Sequence, residues 1–66
     1  MNQQLEHEIT VAIENAQAQR AIAESALAES RTATPVAASA LQFKARRAII
    51  AAMNFEDRAS CLARRR

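Results

Sequence analysis

An unbroken heptad repeat of apolar residues between positions 38 and 62 is the feature that most constrains the fold of this chain. Alternating steps of three and four residues place these side chains in one stripe along an α-helix, and such a stripe is typical of a helix that packs lengthwise against another. The stripe consists of Ala38, Leu41, Ala45, Ala48, Ala52, Phe55, Ala59 and Leu62. Because five of these eight residues are alanine, the backbone of the partner helix must come close.

The first half of the chain supplies the partner helix. Apolar residues recur there on one side of a helix, and we predict helix 1 over about residues 2–31, with Asn2 as its N-cap. They are Leu5, Ile9, Ala12, Ile13, Ala16, Ala23 and Leu27. Pro35 ends this pattern because proline lacks the amide donor, and it suits the first position of a new helix when Thr34 is the N-cap. We therefore predict a turn at residues 32–34 and helix 2 over about residues 35–63.

Two long helices joined by so short a turn are antiparallel neighbours. The predicted fold is therefore all-α, an antiparallel two-helix hairpin that forms a single domain over residues 1–66; the alternative is one long helix kinked at Pro35. A chain of 66 residues buries only a modest part of its surface, which favours a homodimeric four-helix bundle or coiled coil. The predicted core of the hairpin or dimer consists of Leu5, Ile9, Ile13, Leu27, Leu41, Ala45, Ala48, Ala52, Phe55 and Leu62.

The two halves of the chain carry opposite charge. Residues 1–33 hold two arginines and five glutamates, a net charge of −3, whereas residues 34–66 hold seven basic and two acidic residues, a net charge of +5. Such an asymmetry is expected when the two helices pack against each other.

A second apolar row on helix 2 lies away from the heptad stripe. Phe43 and Ile50 are one heptad apart, Met53 lies beside them, Val36 begins the row, and Cys61 follows with an expected small, buried apolar role. On helix 1, Val11, Ala18 and Ile22 also miss the main stripe. A hairpin buries only one stripe per helix, so the second row must meet another copy of the chain or a different protein. The predicted protein-binding residues are Phe43, Arg46, Arg47, Ile50 and Met53.

A basic row on helix 2 supports an alternative function. A dimer would present two such rows, which could follow a phosphate backbone. The row consists of Lys44, Arg47, Arg58 and Arg65. A solvated face that balances the acidic helix 1 explains the same residues, because the net charge is small and no aromatic residue is interleaved for base stacking.

No residue cluster in the sequence supports catalysis, a cofactor or a metal. The chain has no glycine, one histidine and one cysteine, which argues against phosphate-binding loops, a zinc site within one chain and an intramolecular disulfide. His7 lies between Glu6 and Glu8, but consecutive residues of a helix point in different directions and do not converge on one ligand. The start of the chain does not resemble a signal peptide and no apolar run approaches the ~20 residues of a membrane span, so a cytoplasmic protein is expected.

The predicted architecture resembles the Rop family of plasmid copy-number regulators, which are helical hairpins that dimerise as four-helix bundles. The segment Ser60-Cys61-Leu62-Ala63-Arg64 is similar to a segment near the end of the second helix of Rop. The resemblance implies an RNA-binding regulator that would use the basic face of helix 2. The charged turn of Rop is absent from this chain, as is a comparable pattern of RNA-facing side chains on helix 1.

The leftover apolar and charged surface favours a non-enzymatic protein–protein interaction module, which would act as an inhibitor, adaptor or regulator of a partner protein. In size and style the chain also resembles small accessory proteins of phages that bind and block a host protein. The nucleic-acid binder is the alternative to this interpretation, and a purely structural oligomerisation element is a third.

Overall fold

The computed structural model describes residues 3–65, and within them the chain forms two α-helices that pack against each other and no strand. Helix α1 spans Gln3–Ser30 and helix α2 spans Pro35–Ala63, in a molecule of 53 × 13 × 11 Å. The prediction of an all-helical fold with two packed helices is confirmed. The predicted N-cap Asn2 lies outside the described residues.

The reversal of the chain is built from ordinary backbone conformations and local hydrogen bonds. At the end of α1, the Ser30 hydroxyl donates to the Leu27 carbonyl at 2.6 Å and the amide of Arg31 donates to the Ala28 carbonyl at 3.3 Å. Thr34 caps α2 with extended geometry, and its hydroxyl accepts the Ala37 amide at 3.4 Å. The predicted arrangement of a threonine N-cap followed by proline in the first turn is confirmed.

Small residues dominate the seam between the helices. Its buried residues on α1 are Leu5, Ile9, Ala12, Ala16, Ala23 and Ala26, and those on α2 are Ala45, Ala48, Ala52, Ala59 and Leu62. The remaining stripe residues of α2, Ala38, Leu41 and Phe55, are half-buried. The alanines allow close approach of the two helices, and the large residues Leu5, Ile9 and Leu62 cluster at the end opposite the turn.

Two residues of the predicted hairpin or dimer core lie outside the seam of the single hairpin. Ile13 is 45% exposed and Leu27 is 40% exposed. The residues of α1 that face α2 follow steps of four and three residues from Leu5 through Ala12 to Ala26, and Ile13 and Leu27 each come one residue, or about 100° of helix rotation, after this row. Alanines therefore occupy most of the seam of α1, while Ile13 and Leu27 lie on one flank of it.

Within residues 3–65 no helix is long and apolar enough to cross a membrane.

The close approach of the helices makes the seam sensitive to side-chain size. Ala52 is fully buried, so we expect Ala52→Leu to lower the free energy of unfolding by about 1–3 kcal/mol by forcing the helices apart. Urea denaturation followed by circular dichroism measures this change. Ala21→Leu is the matched control, because Ala21 is exposed on α1; equal loss of stability in both variants would contradict tight packing at Ala52.

Candidate interaction surfaces

The interior of the described hairpin contains no reactive or charged side chain, because none of its buried residues is polar or charged. Any functional group must therefore lie on the surface. The surface grooves are shallow and open to solvent, and among residues 3–65 no group of three or more His, Cys, Asp or Glu could hold a metal ion.

The side of α2 that turns away from α1 is rich in large exposed residues. Phe43, Ile50 and Met53 are 58%, 53% and 52% exposed, and Arg46 and Arg47 are exposed between them. These five residues, which we call the outer face of α2, are the predicted protein-binding residues. Phe43 and Ile50 are one heptad apart and so lie in one row, with Met53 one turn after Ile50.

A cation–π contact joins two residues of the outer face. The guanidinium carbon of Arg47 lies 5.9 Å from the centre of the Phe43 ring, which is near the outer limit for this interaction. Both residues line a shallow groove with Lys44 and with Ile22 of α1. The groove combines an apolar floor with a basic rim.

The predicted nucleic-acid residues are all exposed, but they do not line a single groove. Lys44 and Arg47 share the groove next to Phe43, whereas Arg58 lines a second groove together with Glu8. Arg65 lies in the turn after α2. An acidic residue therefore interrupts the basic surface near Arg58, which weakens its attraction for phosphates.

A salt bridge crosses from α1 to α2 on one flank of the hairpin. Arg20 donates two hydrogen bonds of 2.8 Å to Glu56, from Nε to Oε2 and from Nη2 to Oε1. This fork geometry is the strong form of an arginine–carboxylate contact. The hydrogen bonds and charge of Arg20 hold the pKa of Glu56 below its ordinary value, and the same contacts raise the pKa of Arg20.

The sequence-based interpretation did not include this salt bridge. The heptad positions of Arg20 and Glu56 are the sequence feature that indicates this contact. Arg20 follows the seam residue Ala16 by four residues, and Glu56 follows Ala52 by four, so both occupy the same flanking position in their own helices. Pairing them required the relative register of the two helices, which the structure provides.

Apolar residues flank this salt bridge on both sides along the hairpin. Ile13 and Leu27 lie one heptad before and one heptad after Arg20, and Ile49 lies one heptad before Glu56. We call these five residues the ion-pair face. Leu27 and Ile49 line one shallow groove, whose edge reaches Arg46 and Ile50 of the outer face.

Cys61 is an exposed free cysteine, so the expectation of a buried apolar role is wrong for the hairpin. In the heptad repeat of α2, Cys61 lies on the side away from the ion-pair face and outside the alanine seam.

Comparisons with protein-family models, with curated proteins and with solved structures find no match for this chain. The resemblance to Rop rests on the two-helix architecture and on the five residues quoted above.

The salt bridge predicts a specific pH dependence of stability. Because the pKa of folded Glu56 is lowered, its contribution is present above the ordinary glutamate pKa of about 4.3 and is lost as the pH falls through the lowered value. We expect Arg20→Gln to be less stable than the parent chain at neutral pH and equally stable in strong acid. Thermal unfolding at a series of pH values measures the difference, and NMR titration should place the Glu56 midpoint higher in the variant.

Arg31→Gln is the control for this experiment, since Arg31 is an exposed arginine beside the turn. It removes the same charge without removing the salt bridge. If Arg31→Gln reproduced the pH profile of Arg20→Gln, the effect would come from net charge rather than from the contact with Glu56.

Proposed function

We propose that the chain is a non-enzymatic protein–protein interaction module. In this proposal two hairpins pair as a homodimeric four-helix bundle, and the outer face of α2 binds a second protein. The module acts as an inhibitor, adaptor or regulator of that protein.

The observation that supports this proposal is the exposure of the outer face. Phe43, Ile50 and Met53 are each more than half exposed, on a helix whose opposite side is already covered by α1. Burying a side chain of this size is worth about 1.5–3 kcal/mol, and a contiguous exposed apolar patch marks an interaction site in soluble proteins. An aromatic residue beside arginines is also the composition in which binding hot spots are enriched.

The charges around Phe43 indicate the chemistry of the partner. Lys44, Arg46 and Arg47 follow Phe43 by one, three and four residues, and Lys44 and Arg47 line the groove beside its ring. A partner helix with apolar residues at helical spacing and acidic residues beside them would fill the groove and pair with its rim.

The proposed homodimer follows from the size of the hairpin and its second flank. A single hairpin of 66 residues is in the size range where oligomerisation supplies stability that the core does not. Ile13 and Leu27 add exposed apolar surface on a side of the hairpin that the outer face does not include.

Site-specific photocrosslinking tests the protein-binding surface. A photoreactive phenylalanine analogue is placed at position 43 and the chain is produced in its source cells. We expect an adduct with one heterologous protein, because Phe43 belongs to the outer face and is 58% exposed. Position 17 is the matched control, since Gln17 is an exposed polar residue on α1. The adduct should disappear when Arg47→Glu reverses the charge beside the ring.

Three outcomes would contradict this assignment. Adducts that form only between copies of the chain would mean that a second copy covers the outer face. Equal labelling from positions 17 and 43 would indicate a non-specific encounter, and persistence of the adduct in Arg47→Glu would exclude an acidic partner.

The nucleic-acid alternative predicts a different measurement. A basic row that follows phosphates would bind RNA or DNA with an affinity that falls steeply as salt rises, and Lys44→Gln or Arg58→Gln would reduce that slope by about one each. We expect instead that neither a structured RNA nor a DNA duplex binds at about 0.15 M salt in fluorescence anisotropy, because the acidic Glu8 shares the groove of Arg58. Binding at that salt with the predicted loss in both variants would favour the alternative.

A further inference from the structure

We propose that the ion-pair face, formed by Ile13, Arg20, Leu27, Ile49 and Glu56, is the surface that a second copy of this chain covers. We further infer that the two-fold axis of the pair runs parallel to the helices, so that α1 of each chain faces α2 of the other and both turns lie at the same end. This inference rests on the homodimer of the proposed function and assigns its interface and its geometry.

The hairpin exposes more surface than a compact monomer of its mass, and the excess is about the area that one partner contributes to a stable dimer. Its solvent-accessible surface is 5029 Å², whereas a compact folded monomer of 7.2 kDa exposes roughly 4100 Å². The excess of about 900 Å² is close to the ~800 Å² that each protein buries in an interface of standard size.

The two flanks of the alanine seam differ in composition, and only one suits a bundle core. On the ion-pair flank, α1 carries Ile13, Arg20 and Leu27 at heptad spacing. On the opposite flank, the corresponding row of α1 consists of Glu8, Asn15, Ile22 and Glu29. Helices that face the core of a bundle carry a third apolar row beside the two rows of the seam, which selects the ion-pair flank.

The salt bridge makes this flank compatible with burial. Burying a lone charge is costly, whereas a paired charge with its hydrogen bonds satisfied is tolerated. Arg20 and Glu56 neutralise each other with two hydrogen bonds, and their side chains are still 48% and 46% exposed. Each therefore has accessible surface left to contact a second molecule.

Charge decides the direction of the two-fold axis. An axis parallel to the helices sets Arg20 opposite Glu56 of the partner subunit, whereas an axis across the helices at the level of the salt bridge sets Arg20 opposite Arg20 of the partner subunit. The parallel axis also brings residues 1–33, with net charge −3, against residues 34–66, with net charge +5. Complementary charges attract and like charges repel across an interface, so the parallel axis is favoured.

The first experiment tests which flank is the interface. Leu27 on the ion-pair flank and Ile22 on the opposite flank are both 40% exposed, and each is replaced by lysine, a good helix former. Light scattering across a range of concentrations should show a dimer for the parent chain and for Ile22→Lys. In Leu27→Lys the dissociation constant should rise by about 100-fold or more, because the substitution places two charges in one dimer interface. Circular dichroism checks that both variants remain helical.

The outcomes separate this inference from the proposed function. Dissociation by Ile22→Lys but not by Leu27→Lys would overturn the choice of flank. Unchanged dimers in both variants would place the interface elsewhere and would also overturn it. A parent chain that stays monomeric at every concentration would overturn both this inference and the proposed homodimer, whereas protein binding by the outer face is decided independently by the crosslink at position 43.

The second experiment tests the axis and needs no disruption of the interface. Cys61 is replaced by serine, and a spin label is attached to cysteine introduced by Thr32→Cys in the exposed turn. If both turns lie at one end, the distance between the two labels should be below about 25 Å, and if they lie at opposite ends it should approach the helix length of about 40 Å or more. The longer distance would overturn the parallel axis.

Discussion

The close packing of alanine against alanine between α1 and α2 is the contact on which the rest of the structure depends. Ala16, Ala23, Ala45 and Ala52 bury almost completely, yet each contributes only one methyl group to the interior. The seam therefore brings the helices together at little cost in side-chain entropy, but it supplies little apolar area per residue. Much of the large apolar side-chain surface of the chain remains outside the seam.

For this reason the surface carries two apolar regions, which adjoin where Leu27 and Ile50 line one groove. On α2, Phe43, Ile50 and Met53 lie opposite the seam, and on the flank Ile13 and Leu27 lie beside the Arg20–Glu56 salt bridge. The first region is bordered by arginines and the second by a neutral ion pair. A charged border suits a partner with complementary charge, whereas a neutral border suits self-association, in which both sides of the contact are identical.

The heptad spacing of α2 was enough to predict its buried side, because the apolar residues there keep strict steps of three and four. Spacing did not separate Ile13 and Leu27 from the seam of α1, because apolar residues of that helix cover a wider arc and spacing alone does not say which part of the arc faces α2. The Arg20–Glu56 contact depends on how the turn at Thr34 sets one helix against the other, which is a property of two helices together. The outer face of α2 was recognisable as exposed surface, but heptad spacing does not specify the chemistry of a partner for it.

The distribution of residue size along the seam also bears on how the hairpin forms and opens. Ala23, Ala26, Ala45 and Ala48 pack next to the turn, whereas Leu5, Ile9 and Leu62 pack at the far end. Contacts near the turn close short loops at small entropic cost, whereas the contact between Leu5 and Leu62 closes a loop of nearly the full length of both helices. The larger side chains of this cluster therefore add buried apolar area at the helix ends opposite the turn, where bringing the two helices together costs the most loop-closure entropy.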